Sequence, residues 1–159
     1  PDGTPHLRLE QRVMPAGPTI TDCIANLALS FGLALALGQD AEPPEADISF
    51  EEARANFYAC AREGLGAEVN WRGKRGSVQA LLLEYLLPAA KAALARAGAG
   101  IRGLDYYFDS VLHPRLLTGR TGEQWQRSFV DVNGANFPAL LERYAELQRA
   151  GHPVHSWRV

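Results

Sequence analysis

The sequence predicts a mainly α chain, with one N-terminal strand followed by about six helices. Two patterns predict it. From His6 to Met14 the chain alternates: His6, Arg8, Glu10 and Arg12 share one face at period two, and Leu7, Leu9, Gln11 and Val13 share the other. After that run, polar cap residues are repeatedly followed by apolar residues at helical spacing and then by glycine. Composition agrees with a single packed domain. Hydrophobic residues make up 47 % and charged residues 21 %, too apolar a balance for wholesale disorder.

Pro15, Gly17 and Pro18 end the strand. Thr19 or Thr21 caps the next helix, with Asp22 near its positive end. Ile24, Leu27, Phe31 and Leu35 line one side of it, and Ala28, Leu29 and Leu33 make the remainder apolar, so it is expected to be buried on most sides. Gly38 terminates it. Ser49 and Glu52 form a capping-box pattern before a helix ending near Gly64. Glu68 to Arg75 reads as an extended turn region anchored by Trp71. Ser77 caps a Leu-rich helix in which Pro88 predicts a kink or restart, before a stop at Gly98. Asp105 is expected to cap a helix through Leu117, kinked or shortened at Pro114 and closed by Gly119. Thr121 and Gln124 repeat the capping-box pattern ahead of a helix through Phe129. Asn136, Phe137 and Pro138 start the last helix, which Gly151 ends. The expected organisation is residues 1–14 as a sheet strand, 19–151 as a helical region and 152–159 as a tail.

Lys+Arg 16 against Asp+Glu 18 leaves a formal charge of −2, so no nucleic-acid partner is expected, since phosphate binding wants a clustered positive surface. The start lacks a signal-peptide pattern, and an initial Pro1 suggests processing or a cut from a longer parent. Cys23 to Gln39 carries no charge, but it includes Asn26, Ser30 and Gly32 and falls short of the roughly 20 apolar residues of a span; no membrane partner is expected. Cys23 and Cys60 read as buried reduced thiols, and a cytoplasmic location follows.

Several chemistries are excluded. Gly73-Lys74 is followed by Arg75, with no glycine five residues upstream, so there is no P-loop. Cys23 and Cys60 lack zinc partners. His152 and His155 flank Pro153 in a tail and read as solvated or locally bonded, and His113 reads as a helix-surface or core-edge residue. The opening strand remains. Its row of Arg8, Glu10 and Arg12 is either a solvated sheet face or a cluster facing a concave site. In the second case a carboxylate holds a divalent metal and guanidinium groups steady phosphoryl oxygens.

HLRLEQRVMPAGPTITDCIANLAL resembles a stretch near the end of the catalytic domain of the glutamate–cysteine ligase family, among the carboxylate–amine ligases. There a strand bearing Glu-x-Arg precedes a turn and a long Ala-rich helix. Glu10-Gln11-Arg12 matches the pair, and Pro15 to Thr19 resembles the turn of a bacterial branch. The resemblance continues through FEEARANFYACAREGLGAEVNW, LLLEYLLPAA and GRTGEQWQR, and so covers nearly the whole chain. It implies the C-terminal portion of an α+β, glutamine-synthetase-like domain with an antiparallel funnel-shaped sheet. It also implies ATP and Mg²⁺, phosphorylation of a carboxylate (usually the γ-carboxylate of glutamate), and amide formation with cysteine or another amine. Glu10 would be a Mg²⁺ ligand, Arg12 would brace the transferred phosphoryl group, and Arg8 would assist. Arg120, Thr121 and Trp125 would form a loop on the substrate or nucleotide side, or else serve as a helix cap and a core tryptophan. The family's upstream strands, which supply its other metal-binding glutamates, are not in this sequence. The rest of the ligase domain or a partner chain would therefore complete the sheet, and the segment alone is not expected to catalyse. The alternative reading is a non-enzymatic helical interaction or regulatory domain.

Overall fold

A computed structural model describes Gly3, Pro5, Glu10 and residues 16–159. The strand expected over 1–14, with Arg8 and Arg12, lies outside the described residues apart from Gly3, Pro5 and Glu10; Glu10 is exposed. The described chain is mainly helical, with one small antiparallel sheet. Its helices are α1 (Ile20–Gly38), α2 (Phe50–Glu63), α3 (Val78–Arg96), α4 (101–118), α5 (Gly122–Asn133) and α6 (Phe137–Ala150). The sheet pairs β1 (Glu68–Trp71) with β2 (Lys74–Ser77).

Local chemistry sets most of these boundaries. Thr19 caps α1 by accepting from the Asp22 amide at 3.1 Å. Both halves of the Ser49–Glu52 capping box form, and these bonds hold the Glu52 carboxyl below its ordinary pKa. Ser77, Thr121 and Asn136 accept from the amides three residues on. Gly119 and Gly151 close α4 and α6 in the left-handed region, at φ 68° and 73°.

Several expectations are refined or corrected. The extended region before α3 is a hairpin whose two-residue turn puts both Arg72 and Gly73 at positive φ, the geometry that matches strand twist. Asp105 does not cap α4, which begins at Ile101 after Gly100. Instead Asp105 and Asp109 each accept from Lys91 Nζ at 2.7 Å, tying α4 to α3 and raising the lysine pKa. α5 runs past Phe129 to Asn133. α3 runs on through Pro88 instead of restarting, and α4 runs through Pro114 to Thr118. The turns just before them, Leu82–Leu86 and Asp105–Leu112, widen to i→i+5 bonding, which absorbs the missing proline N–H without breaking the helix. Finally, Cys23 and Cys60 are free thiols but only half-buried, not core residues.

Among the described residues, two apolar clusters form the interior. The first joins α1, α3 and α4 through Ala25, Leu87, Ala90, Leu104, Phe108 and Val111. The second joins α5, α6 and the tail through Trp125, Phe129, Leu140, Val154 and Trp157, with Tyr144 edge-on to both tryptophans. α1 is not buried on most sides. Asp22, Ala25 and Gly32 are buried, whereas Ile20, Ile24, Leu27 and Phe31, at helical spacing along one face, are exposed. α3 and α4 cover only one side of it. α1 and α3 both have the length and apolarity of a membrane span by composition alone, a test that core helices also pass.

Candidate functional site

The strongest polar constellation lies where the two clusters meet. Asp22, in the first turn of α1, is fully buried. Its carboxylate accepts from the Arg115 guanidinium at 2.5 Å, the Thr19 hydroxyl at 2.8 Å and the Val154 amide at 3.2 Å. Arg115 also donates to Asn26 Oδ1 at 2.6 Å. A bare buried carboxylate would be costly; these donors and the positive end of α1 make the charge tolerable. Asp22 thereby holds α1, α4 and the tail together. Thr19 and Asp22 repeat the spacing of a capping box, the one sequence signal available, but spacing does not reveal that Arg115 arrives 93 residues later. Tail closure is reinforced by Gln148 Nε2 donating to the Pro18 carbonyl at 2.8 Å.

Beside this cluster stands His155. Its Nδ1 is buried and makes no hydrogen bond among the described residues. Burial, then the charge of Arg115, holds its pKa below 6.5 against an opposing pull from Asp22, with a lesser lowering contribution from Arg120. The unfolded chain therefore binds this proton at a pH where the folded chain does not. The histidine's contribution to stability is intact above about pH 6.5 and is lost as pH falls toward the folded value. Thermal melts of wild type and His155→Gln, compared from pH 7.5 to 5, will converge or diverge with that sign: the variant loses less midpoint on acidification.

A cleft of about 430 Å³ opens between the start of α5 and the tail. Arg120, Gln124, Ser128 and Arg158 supply its polar lining, and Trp125, Trp157, Val154 and Val159 its apolar walls. Both indole N–H groups are spent on backbone carbonyls, Trp125 on Arg158 at 3.4 Å and Trp157 on His152 at 2.9 Å. Among the described residues, no acidic side chain lines the cleft. Among the described residues, no carboxylate pairs with Arg120 or Arg158, whereas Arg127 on the same helix pairs with Glu123. A second, larger groove of about 690 Å³ runs between α5 and α6 along Val130, Phe137, Leu140 and Leu141.

The residues singled out in Gly119–Arg127 thus divide. Thr121 is the N-cap of α5, its hydroxyl accepting from the Gln124 amide at 3.2 Å. Trp125 is 5 % exposed and forms both core and cleft wall, and Arg120 stands exposed at the cleft. Sequence reasoning missed Arg158, Gln124 and Ser128. Gln124 and Ser128 stand one helical turn apart, a signal that spacing could have supplied; Arg158 lies in the tail and carries no motif. His152 and His113 are exposed. Among the described residues, no three of His, Cys, Asp and Glu gather as a metal-holding group. Of the residues expected at a metal site, Glu10 alone is described, and it is exposed. Comparison with known protein families, characterised proteins and solved structures finds no match.

Proposed function

We propose that the chain is the C-terminal part of an ATP- and Mg²⁺-dependent carboxylate–amine ligase acting in the cytoplasm on glutamate or a similar carboxylate. The observation that carries this reading is the open apolar face of α1. Ile20 is 80 % and Phe31 62 % exposed, on the helix that comes next in the chain after the Glu10–Arg12 segment, eight residues after Arg12. An apolar helix face of this length asks for a covering layer, and a sheet continuing from that segment would be such a layer. The ordered resemblance from HLRLEQR to GRTGEQWQR supports the same reading.

In this reading Glu10 contributes a carboxylate to Mg²⁺, and Arg12, assisted by Arg8, stabilises charge on the phosphoryl group in transfer. The metal nucleotide supplies the phosphoryl group that activates the carboxylate; specificity for the amine resides outside this segment. In a ligase carrying the segment, Glu10→Gln and Arg12→Ala are expected to lower glutamate-dependent ADP release by about 100-fold or more with unchanged melting. Full turnover in both variants removes the assignment.

A second reading, a helical interaction domain, draws on the Phe137–Leu141 groove. Phe137 and Leu141 are 60 % and 66 % exposed, so a partner helix would find apolar purchase there. Isothermal titration of Mg-ATP into the ligase-length protein separates the two: heat that saturates supports the ligase, and none supports the module.

A further inference from the structure

We propose that the cleft between the start of α5 and the C-terminal tail binds a small organic molecule carrying a carboxylate or phosphate group on an apolar or planar body. Arg120 and Arg158 come from segments 38 residues apart and line the same cleft, with no acidic side chain lining it among the described residues. A guanidinium stays protonated at any physiological pH and presents a planar fork of donors that matches an oxyanion. Two of them on a chain of net charge −2 make a local site for negative charge.

The neutral lining specifies the rest of the ligand. Gln124 and Ser128 lie at i and i+4 of α5, so both fall on one face, where an amide and a hydroxyl can complete the oxyanion's hydrogen bonds. Because the Trp125 and Trp157 N–H groups are already bonded to backbone, the indoles have only π surface left to offer. Val154 and Val159 extend that apolar wall. A body that stacks or packs is therefore favoured over a bare ion. The volume, about 430 Å³, suits a metabolite-sized molecule and not a macromolecule. Arg120 and Arg158 are the cationic side chains of the lining. The cleft does not depend on the ligase reading, because none of its residues is Glu10 or Arg12.

Phenyl phosphate, benzoate and inorganic phosphate are titrated into the chain in a Trp71→Phe background, which removes the indole of the distant hairpin. Indole fluorescence is the readout, with benzylamine as the same aryl body of opposite charge. At least one aryl anion is expected to saturate, and the tighter of the two identifies the head group. Arg120→Ala and Arg158→Ala should each weaken it about tenfold with unchanged melting, since both side chains are exposed. Three outcomes overturn the proposal: neither aryl anion saturates, benzylamine binds as well, or the double arginine variant keeps wild-type affinity. Saturation by inorganic phosphate as tight as by phenyl phosphate overturns the apolar half of the site.

Discussion

Asp22→Asn is expected to destabilise the chain by about 3 kcal/mol, lowering the melting midpoint by roughly 10 °C. The substitution keeps the shape and the Thr19 contact but removes the charge that Arg115 faces at 2.5 Å. Arg115 is itself only 9 % exposed and cannot turn to water, and its Nε already lacks a partner among the described residues. The loss is thus mostly the cost of a stranded guanidinium rather than of one missing attraction. The double variant Asp22→Leu/Arg115→Met separates these terms. Removing both charges should recover more than 1 kcal/mol relative to the sum of the single changes. Additive effects, or a midpoint within 2 °C of wild type for Asp22→Asn, would show that the pair does not hold α1, α4 and the tail together.

Gly32→Leu is expected to cost about 3 kcal/mol, and Gly32→Ala about 1 kcal/mol. A Cβ at Gly32 would lie 2.7 Å from both the Cβ and the carbonyl oxygen of Ala90. A helical glycine replaced by alanine ordinarily gains close to 1 kcal/mol, so the sign here is decided by overpacking. Ala90→Gly should rescue Gly32→Ala only in part, because the Ala90 backbone remains in the way. Denaturant midpoints for the three variants check this order. An alanine variant more stable than wild type would mean that α1 and α3 separate freely.

Both predictions concern what sequence patterns leave out. Ser49, Ser77, Thr121 and Asn136 start helices where their residue types and spacing say they should, because a cap is a contact within three residues. Asp105 misleads for the opposite reason. Its carboxylate is engaged by Lys91 from another helix, and Gly100 takes the start. The apolar run of α1 is plain in the sequence, but which of its faces is covered is not: apolar residues surround most of the helix, and the face packed inward is the one that carries Asp22 and Asn26 against Arg115. In the candidate cleft, Arg120 and Trp125 are legible through the motif they occupy, while Arg158 is not, since nothing local links it to them.

The amino-acid sequence by itself determined the helical class, the caps and stops, and the absence of nucleotide-loop and zinc patterns, all of which depend on neighbours within about one or two turns. Only the tertiary structure decided the burial of Asp22 against Arg115 and the meeting of Arg120 with Arg158 at one cleft. These require segments far apart in the chain to close on one another. That closure is set by how apolar faces pack and where a buried charge finds its partner, not by any pattern a short window can carry.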